Sequence, residues 1–250
     1  MIFIRSLLFA IYLAVLTPPY ACACFLVFPF MSAENRFRFV RGWPRLVIWA
    51  ARVICGIDHR IEGMDRLHAM LDKPVVLLSK HQSAWETVAY VALMPKPLCF
   101  VFKRELLYVP FFGWALGMLK MVHINRKDGS RAFAQAASQG RERLAEGAWI
   151  IMFPEGTRTP PGMEHPRYKS GGARLAAETG AWIVPMAVNS GRVWPRNSFY
   201  KYPGTITISI GPAIPSANRT ADQLNTEAQV WIEAEMRRID AGSYRSQATA

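Results

Sequence analysis

The sequence predicts an α/β protein, one sheet-based domain set behind an N-terminal membrane-associated helical segment. Three observations carry this. Past about Asp58, short apolar runs alternate with amphipathic segments punctuated by Gly and Pro, as when strands and helices take turns about a sheet. Ahead of that point no charged residue falls between Ser6 and Met31, and a helix that crosses a bilayer needs roughly 20 apolar residues. The 250 residues, 51% of them hydrophobic, suffice for one full α/β domain with an accessory segment but not for two catalytic domains. The expected division is residues 1–58 for the membrane-anchoring segment and 59–250 for the α/β domain.

The elements follow in chain order. Pro18-Pro19 interrupts the apolar run and divides it into two arms, because proline removes a helical hydrogen bond. A helical hairpin or a kinked anchor is then as consistent as a straight span. A cleaved leader would share Arg5, the apolar stretch to Leu16 and the small residues Ala21-Cys22-Ala23, but the run continues into Phe25-Leu26-Val27-Phe28. The basic cluster Arg36, Arg38, Arg41, Arg45 and Arg52 is expected on the cytoplasmic side against anionic headgroups, with a second apolar stretch from Leu46 to Ile57. In the domain, 74–79 reads as a buried strand, 83–93 as a helix, 98–102 as a strand, and 110–117 as an aromatic core or membrane-contacting helix. A helix over 130–146 closes at Gly147 before a strand at 148–153. A helix near 172–178 ends at Gly180 and feeds a strand at 182–188. Residues 205–210 alternate as a strand, 220–239 form a last helix, and the polar tail from Gly242 is expected to fray.

Composition narrows the function. The net charge of +12 rests mainly on Arg, whose planar fork suits phosphate, so an anionic partner is implied. Nucleic acid is excluded as that partner, since no zinc-finger spacing, RRM-type aromatic signature or basic low-complexity tail is present. Cys22, Cys24, Cys55 and Cys99 match neither a zinc site nor a disulfide framework and read as reduced, which fits a domain facing the cytoplasm.

Five segments could carry chemistry. Lys80-His81-Gln82-Ser83-Ala84-Trp85-Glu86 lies where a buried strand gives way to a helix. Ser83 and Glu86 form a capping-box pattern that would leave His81 in the loop and Glu86 in the first turn, so their side chains converge. A carboxylate beside a histidine holds its tautomer and poises it as a base; the plain alternative is a helix cap beside a loop histidine. Phe153-Pro154-Glu155-Gly156-Thr157-Arg158 ends an apolar strand in a polar turn, where α/β folds place ligands. There Gly156 permits close backbone approach, Thr157 offers a hydroxyl and Arg158 a guanidinium. Lys103-Arg104-Glu105-Leu106 and Val122-His123-Ile124-Asn125-Arg126 each deliver a cation after an apolar segment, as ordinary surface charge also would. Ile183-Val184-Pro185-Met186-Ala187-Val188 reads as a core strand with its proline at a bulge or edge.

Taken together, and in this order, these segments resemble the glycerolipid acyltransferases of the 1-acylglycerol-3-phosphate acyltransferase type. His81 to Glu86 meets the family's His-x4-Asp motif, His123-Ile124-Asn125-Arg126 its Arg-bearing second motif, Phe153 to Arg158 its Phe-Pro-Glu-Gly-Thr-Arg motif without change, and Val184-Pro185 its Val-Pro motif. The resemblance runs from about residue 60 to residue 215. Two departures stand out: Glu86 replaces the usual Asp, and Lys80 the Asn that often precedes the histidine.

The resemblance implies a mixed central sheet flanked by helices, behind a monotopic two-helix membrane motif. It implies acyl transfer from a thioester of acyl carrier protein or coenzyme A to the hydroxyl of 1-acyl-sn-glycerol 3-phosphate, giving phosphatidic acid, with no cofactor and no metal. His81 and Glu86 would be catalytic, and Lys103, Arg126, Glu155, Gly156, Thr157 and Arg158 would bind substrate. The expected partners are an anionic phospholipid membrane, a lysophospholipid acceptor and the acyl thioester, and the expected location is the bacterial inner membrane with the domain facing the cytoplasm. The alternatives are another lysolipid acceptor, such as a lyso-ornithine lipid, or a catalytically silent lipid-binding protein. A serine esterase is disfavoured because no Gly-x-Ser-x-Gly elbow occurs.

Overall fold

The computed structural model describes residues 1–108, 112–125 and 130–245. Seven strands form one mixed sheet: β1 (Ile57–Glu62), β2 (Val75–Ser79), β3 (Leu98–Lys103), β4 (Val122–Ile124), β5 (Trp149–Met152), β6 (Trp182–Val188) and β7 (Gly204–Ile210). Their spatial order is β1-β7-β6-β2-β5-β3-β4. Strands β2 to β6 are mutually parallel, while β7 runs antiparallel to β6 and carries β1 parallel to itself at the edge.

The helices are α1 (Ile2–Val27), α2 (Ala33–Val40), α3 (Gly42–Ala50), α4 (Met64–His68), α5 (Trp85–Leu93), α6 (Phe112–Met118), α7 (Ser130–Ala145), α8 (Gly171–Thr179), α9 (Ala221–Ile239) and α10 (Ala241–Arg245). They form two layers because the central strands are apolar on both faces. In β2, Val75 and Leu77 join the core beneath α1, α3 and α5, while Val76 and Leu78 join the core beneath α7, α8 and α9. All four are fully buried, each contributing about 1.5–3 kcal/mol by leaving water. Helix α9 starts with a capping box: Thr220 Oγ1 accepts from the Gln223 amide at 3.3 Å, and Gln223 Oε1 accepts from the Thr220 amide at 2.9 Å.

Several expectations need correction. Pro18 and Pro19 do not divide the apolar run; they lie inside a continuous 26-residue α1. The helix is held on both sides of the pair: Tyr12, Leu13 and Leu16 pack on the core before it, the Tyr20 hydroxyl donates to the Phe39 carbonyl just after it, and Cys24 and Phe28 are buried beyond. The turn of the hairpin falls instead at Phe28–Phe30, before Ser32 caps α2. The division at residues 58 and 59 cuts through β1, an edge strand whose polar positions hid it. Pro185 sits in an interior strand, not at an edge, so of the two expected placements the bulge is the one that fits: Val184 and Pro185 lie opposite three residues, 211–213. The Pro185 nitrogen faces the point where the chain leaves β7 at Ile210 and rejoins at the Ile183–Ile214 bridge, so no ladder bond is forfeited. The tail from Gly242 does not fray at its start: α10 takes it as far as Arg245 and buries Tyr244, and residues 246–250 lie outside the described residues.

The basic cluster after α1 is also partly structural. Arg36 donates to the carbonyls of Phe28 and Met118, and Arg41 to those of Ala92 and Met94 at the end of α5, where exposed carbonyls attract cations. Arg38 and Arg52 form exposed pairs with Glu34 and Asp58.

Candidate active site

The site forms at the carboxyl ends of the parallel strands. From β2 the chain crosses to α5 on one face, and from neighbouring β5 it crosses to α8 on the other. Such a parting of connections opens a crevice above the sheet. A cavity of about 590 Å³ lies there, lined among others by His81, Lys103, Phe153, Gly156, Thr157 and Arg158.

His81 follows β2 by one intervening residue, and α5 begins at Trp85 rather than Ser83. The reach-back half of the capping pattern nevertheless forms. Glu86 accepts the Ser83 amide at 2.9 Å and the Gln82 amide at 3.1 Å, while Ser83 Oγ takes the Trp85 amide at 2.8 Å. The same carboxylate lies 2.8 Å from His81 Nδ1. The extra methylene of Glu therefore does not separate the pair. Ser190, just past β6, adds a hydroxyl donor to Glu86. Glu86 is fully buried, whereas the His81 side chain keeps 12% of its surface open toward the cavity. A carboxylate only accepts, so Nδ1 carries the proton and the lone pair is left on Nε2. The ring is fixed further by stacking on Phe153, with centroids 3.9 Å apart and planes 17° from parallel.

Across the cavity stand the groups that could take an anion. Arg158 is half-buried, and its Nε is buried without a hydrogen-bond partner. Such an unpaired donor is costly unless a ligand supplies the acceptor. Gly156 turns the chain with φ +67°, a conformation that favours glycine, and a Cβ there would come within 2.7 Å of Lys169 Nζ, so that lysine would have to shift away. Thr157 is exposed on the wall, as is Lys103 at the end of β3. Arg126 lies outside the described residues.

Glu155 departs from expectation. Expected at the acceptor, it turns inward instead, is 6% exposed, and meets Lys80 Nζ at 3.2 Å and the His81 amide at 2.9 Å. Burial pushes its carboxyl up to about 7, against the opposing pull of Lys80. Sequence reasoning also passed over Lys169, Arg196 and Asn197 on the cavity wall and Ser190 behind Glu86. Lys169-Ser170-Gly171 before α8 and Asn189-Ser190-Gly191 after β6 are polar breaks at element ends, a signal that could have flagged two of these positions.

A histidine backed by a buried carboxylate, facing a cavity with a free guanidinium, suits proton removal from a hydroxyl beside an anionic group, and the comparisons name the class. Residues 58–189 match the family model described as Acyltransferase. The 1-acyl-sn-glycerol-3-phosphate acyltransferase of Pseudomonas aeruginosa is 41% identical over 240 residues, covering 94% of this chain and 91% of that one. A Chlamydomonas reinhardtii protein of the same name is 30% identical over 88% of this chain and 66% of its own length. The crystal structure of the 1-acyl-sn-glycerophosphate (LPA) acyltransferase PlsC from Thermotoga maritima superposes with a TM-score of 0.77, covering 96% of this chain and 98% of that one; at 21% identity it speaks for the fold. The protein is thus an O-acyltransferase by class. More narrowly, it belongs to the 1-acyl-sn-glycerol-3-phosphate acyltransferase family.

Proposed function

We propose that this protein transfers a fatty acyl group from a thioester to the free hydroxyl of 1-acyl-sn-glycerol 3-phosphate, producing phosphatidic acid, with His81 as general base. The carrying observation is the 2.8 Å contact between His81 Nδ1 and Glu86, with His81 lining a cavity that Arg158, with its unpaired Nε, also lines. His81 Nε2 takes the hydroxyl proton as the oxygen attacks the thioester carbonyl. The carbon–sulfur bond then breaks, and the imidazolium returns the proton to the departing thiolate. Glu86 holds the tautomer and balances the imidazolium charge. General-base assistance of this kind contributes about 10²–10⁴-fold, and positioning of the acceptor supplies much of the rest. The thioester is already activated, so neither a cofactor nor a metal is required, and acyl carrier protein and coenzyme A both fit as donors.

Arg158, Lys103, Thr157, Gly156 and, by resemblance, Arg126 receive the acceptor phosphate. A lyso-ornithine acceptor would bring a carboxylate but also its own ammonium against Lys103, Arg158 and Lys169 on the cavity wall, so the cationic lining favours a phosphate headgroup. The catalytically silent reading drew its support from Glu86 in place of Asp, and the short contact to His81 removes that support. The chain is proposed to sit on an anionic membrane, the bacterial inner membrane facing the cytoplasm. Helix α1 is the described helix long and apolar enough to cross a membrane. Its inner side, however, is occupied along its length: Phe9 packs edge-on against Trp194, and Ser6 Oγ accepts the Lys201 amide at 2.9 Å. A helix bound in this way lies in one leaflet, because crossing would draw the α/β domain into hydrocarbon.

The test is kinetic. Arg158→Ala removes a charge-assisted contact worth about 1.5–3 kcal/mol, so the acceptor KM should rise roughly ten- to a hundredfold while kcat changes little. An unchanged acceptor KM in a folded variant would exclude Arg158 as the phosphate site.

A further inference from the structure

His81 is held by its peptide groups as well as by its ring. Glu155 Oε2 accepts its N–H at 2.9 Å, and the Thr159 amide donates to its carbonyl at 2.8 Å. The Thr159 hydroxyl has one hydrogen, and it lies nearer Glu155 Oε1, at 2.8 Å, than the His81 carbonyl, at 3.2 Å. The turn after β5 therefore clamps both sides of the His81 backbone through two residues that bind each other.

The clamp is anchored from behind. The Lys80 amide donates to the Met186 carbonyl at 2.9 Å, continuing the β2–β6 ladder by one step. Strand alternation then sets the Lys80 side chain on the face of Val76 and Leu78, toward α9. There its ammonium, fully buried, meets Glu155 Oε1 at 3.2 Å and Glu233 Oε1 at 2.8 Å, and the Tyr168 hydroxyl donates to Glu233 at 2.7 Å. Buried charges persist only when paired, and this cation has two carboxylates, one of them the residue that grips the His81 amide.

We propose that Glu155 is a positioning residue, fixing the His81 backbone within reach of the reacting hydroxyl, and that Lys80, anchored by Glu233 of α9, holds Glu155 in that role. This displaces Glu155 from the acceptor-binding set. It rests on His81 being the base, and His81→Ala tests that reading separately: a folded His81→Ala that still turns over removes the base, whatever Glu155 does.

The experiment compares Glu155→Ala and Glu155→Gln in the detergent-purified full chain, with acyl-coenzyme A and 1-acyl-sn-glycerol 3-phosphate, alongside thermal melts. Glu155→Ala should lower kcat by about thirtyfold or more with the acceptor KM within about twofold of the unaltered chain. Glu155→Gln keeps a carbonyl oxygen for the His81 amide and should recover at least about tenfold of that loss. A raised acceptor KM with kcat preserved would overturn the proposal, as would a folded Glu155→Gln no better than Glu155→Ala. If Glu155→Ala does not fold, Lys80→Met/Glu233→Gln serves. It removes two paired charges together, leaves Tyr168 an acceptor, and strips Glu155 of its cation. A lowered kcat at unchanged acceptor KM supports the anchor, and an unaltered kcat in that folded double variant overturns it.

Discussion

At the scale of single residues, the site turns on how many donors one buried carboxylate can gather. Glu86 takes two backbone amides, the Ser190 hydroxyl and His81 Nδ1. It therefore works as the helix cap and as the histidine's partner at once. A cap alone would show only stability loss when altered. Glu86→Gln keeps one acceptor oxygen for the cap but turns an amide donor toward Nδ1 or forces the opposite tautomer. It should lower kcat by about 10²-fold or more, while the melting midpoint falls only modestly; parallel losses in both would reduce Glu86 to a cap. The His81–Glu86 pair was legible because both residues belong to one short local pattern. The Lys80 and Glu155 pairing was not. A lysine after a strand reads as surface charge, and its partner Glu233 lies 153 positions away. A strand-end turn likewise does not say which of its side chains points inward, so nothing local to it opposed the family resemblance when that set Glu155 among the substrate-binding residues.

Among the elements, the strands that sequence found are apolar or β-branched runs, most of them buried on both faces, with β3 only half-buried. β2 is a continuous apolar run, and β6 starts and ends where the apolar pattern does. β1 alternates Ile, Asp, His, Arg and Ile at an exposed edge and carries no such run. Pro18-Pro19 misled because a proline pair lowers the local helix preference, while contacts on both sides of it, absent from any local pattern, keep α1 whole. Close approach of layers is visible at Gly172 in α8, where a Cβ would come within 2.5 Å of Leu78 Cδ2. On helix propensity alone, a residue with a side chain would be favoured there by up to about 1 kcal/mol. Overpacking against β2 outweighs that, so Gly172→Val should destabilise by about 1–3 kcal/mol, read as a lower denaturation midpoint. An unchanged or raised midpoint would show that α8 can move off β2 freely.

For the molecule as a whole, the sheet that carries the site and the apolar helix α1 form one body. Ile4, Leu8, Ile11 and Val15 recur at helical spacing on the outer side of α1 and are each more than half exposed, while Phe9 on the inner side is buried against Trp194. Trp49 and Val53 extend the exposed apolar surface. A leaflet would cover this surface and hold the cavity near its lipid substrate. Leu8→Asn/Val15→Asn removes apolar area without altering charge. It should weaken partitioning to anionic phospholipid vesicles at least about tenfold, given roughly 1.5–3 kcal/mol for each buried side chain, with circular dichroism unchanged. Undiminished partitioning would place the contact elsewhere on the basic surface.

The most direct measurement at this scale is product formation by His81→Ala in the full chain. Free thiol and phosphatidic acid are followed together from acyl-coenzyme A and 1-acyl-sn-glycerol 3-phosphate, beside the unaltered protein and with folding matched by thermal melt. A general base at His81 predicts that both products fall to the level of thioester alone in the same detergent. Phosphatidic acid formed by folded His81→Ala at a rate near that of the unaltered chain would contradict it.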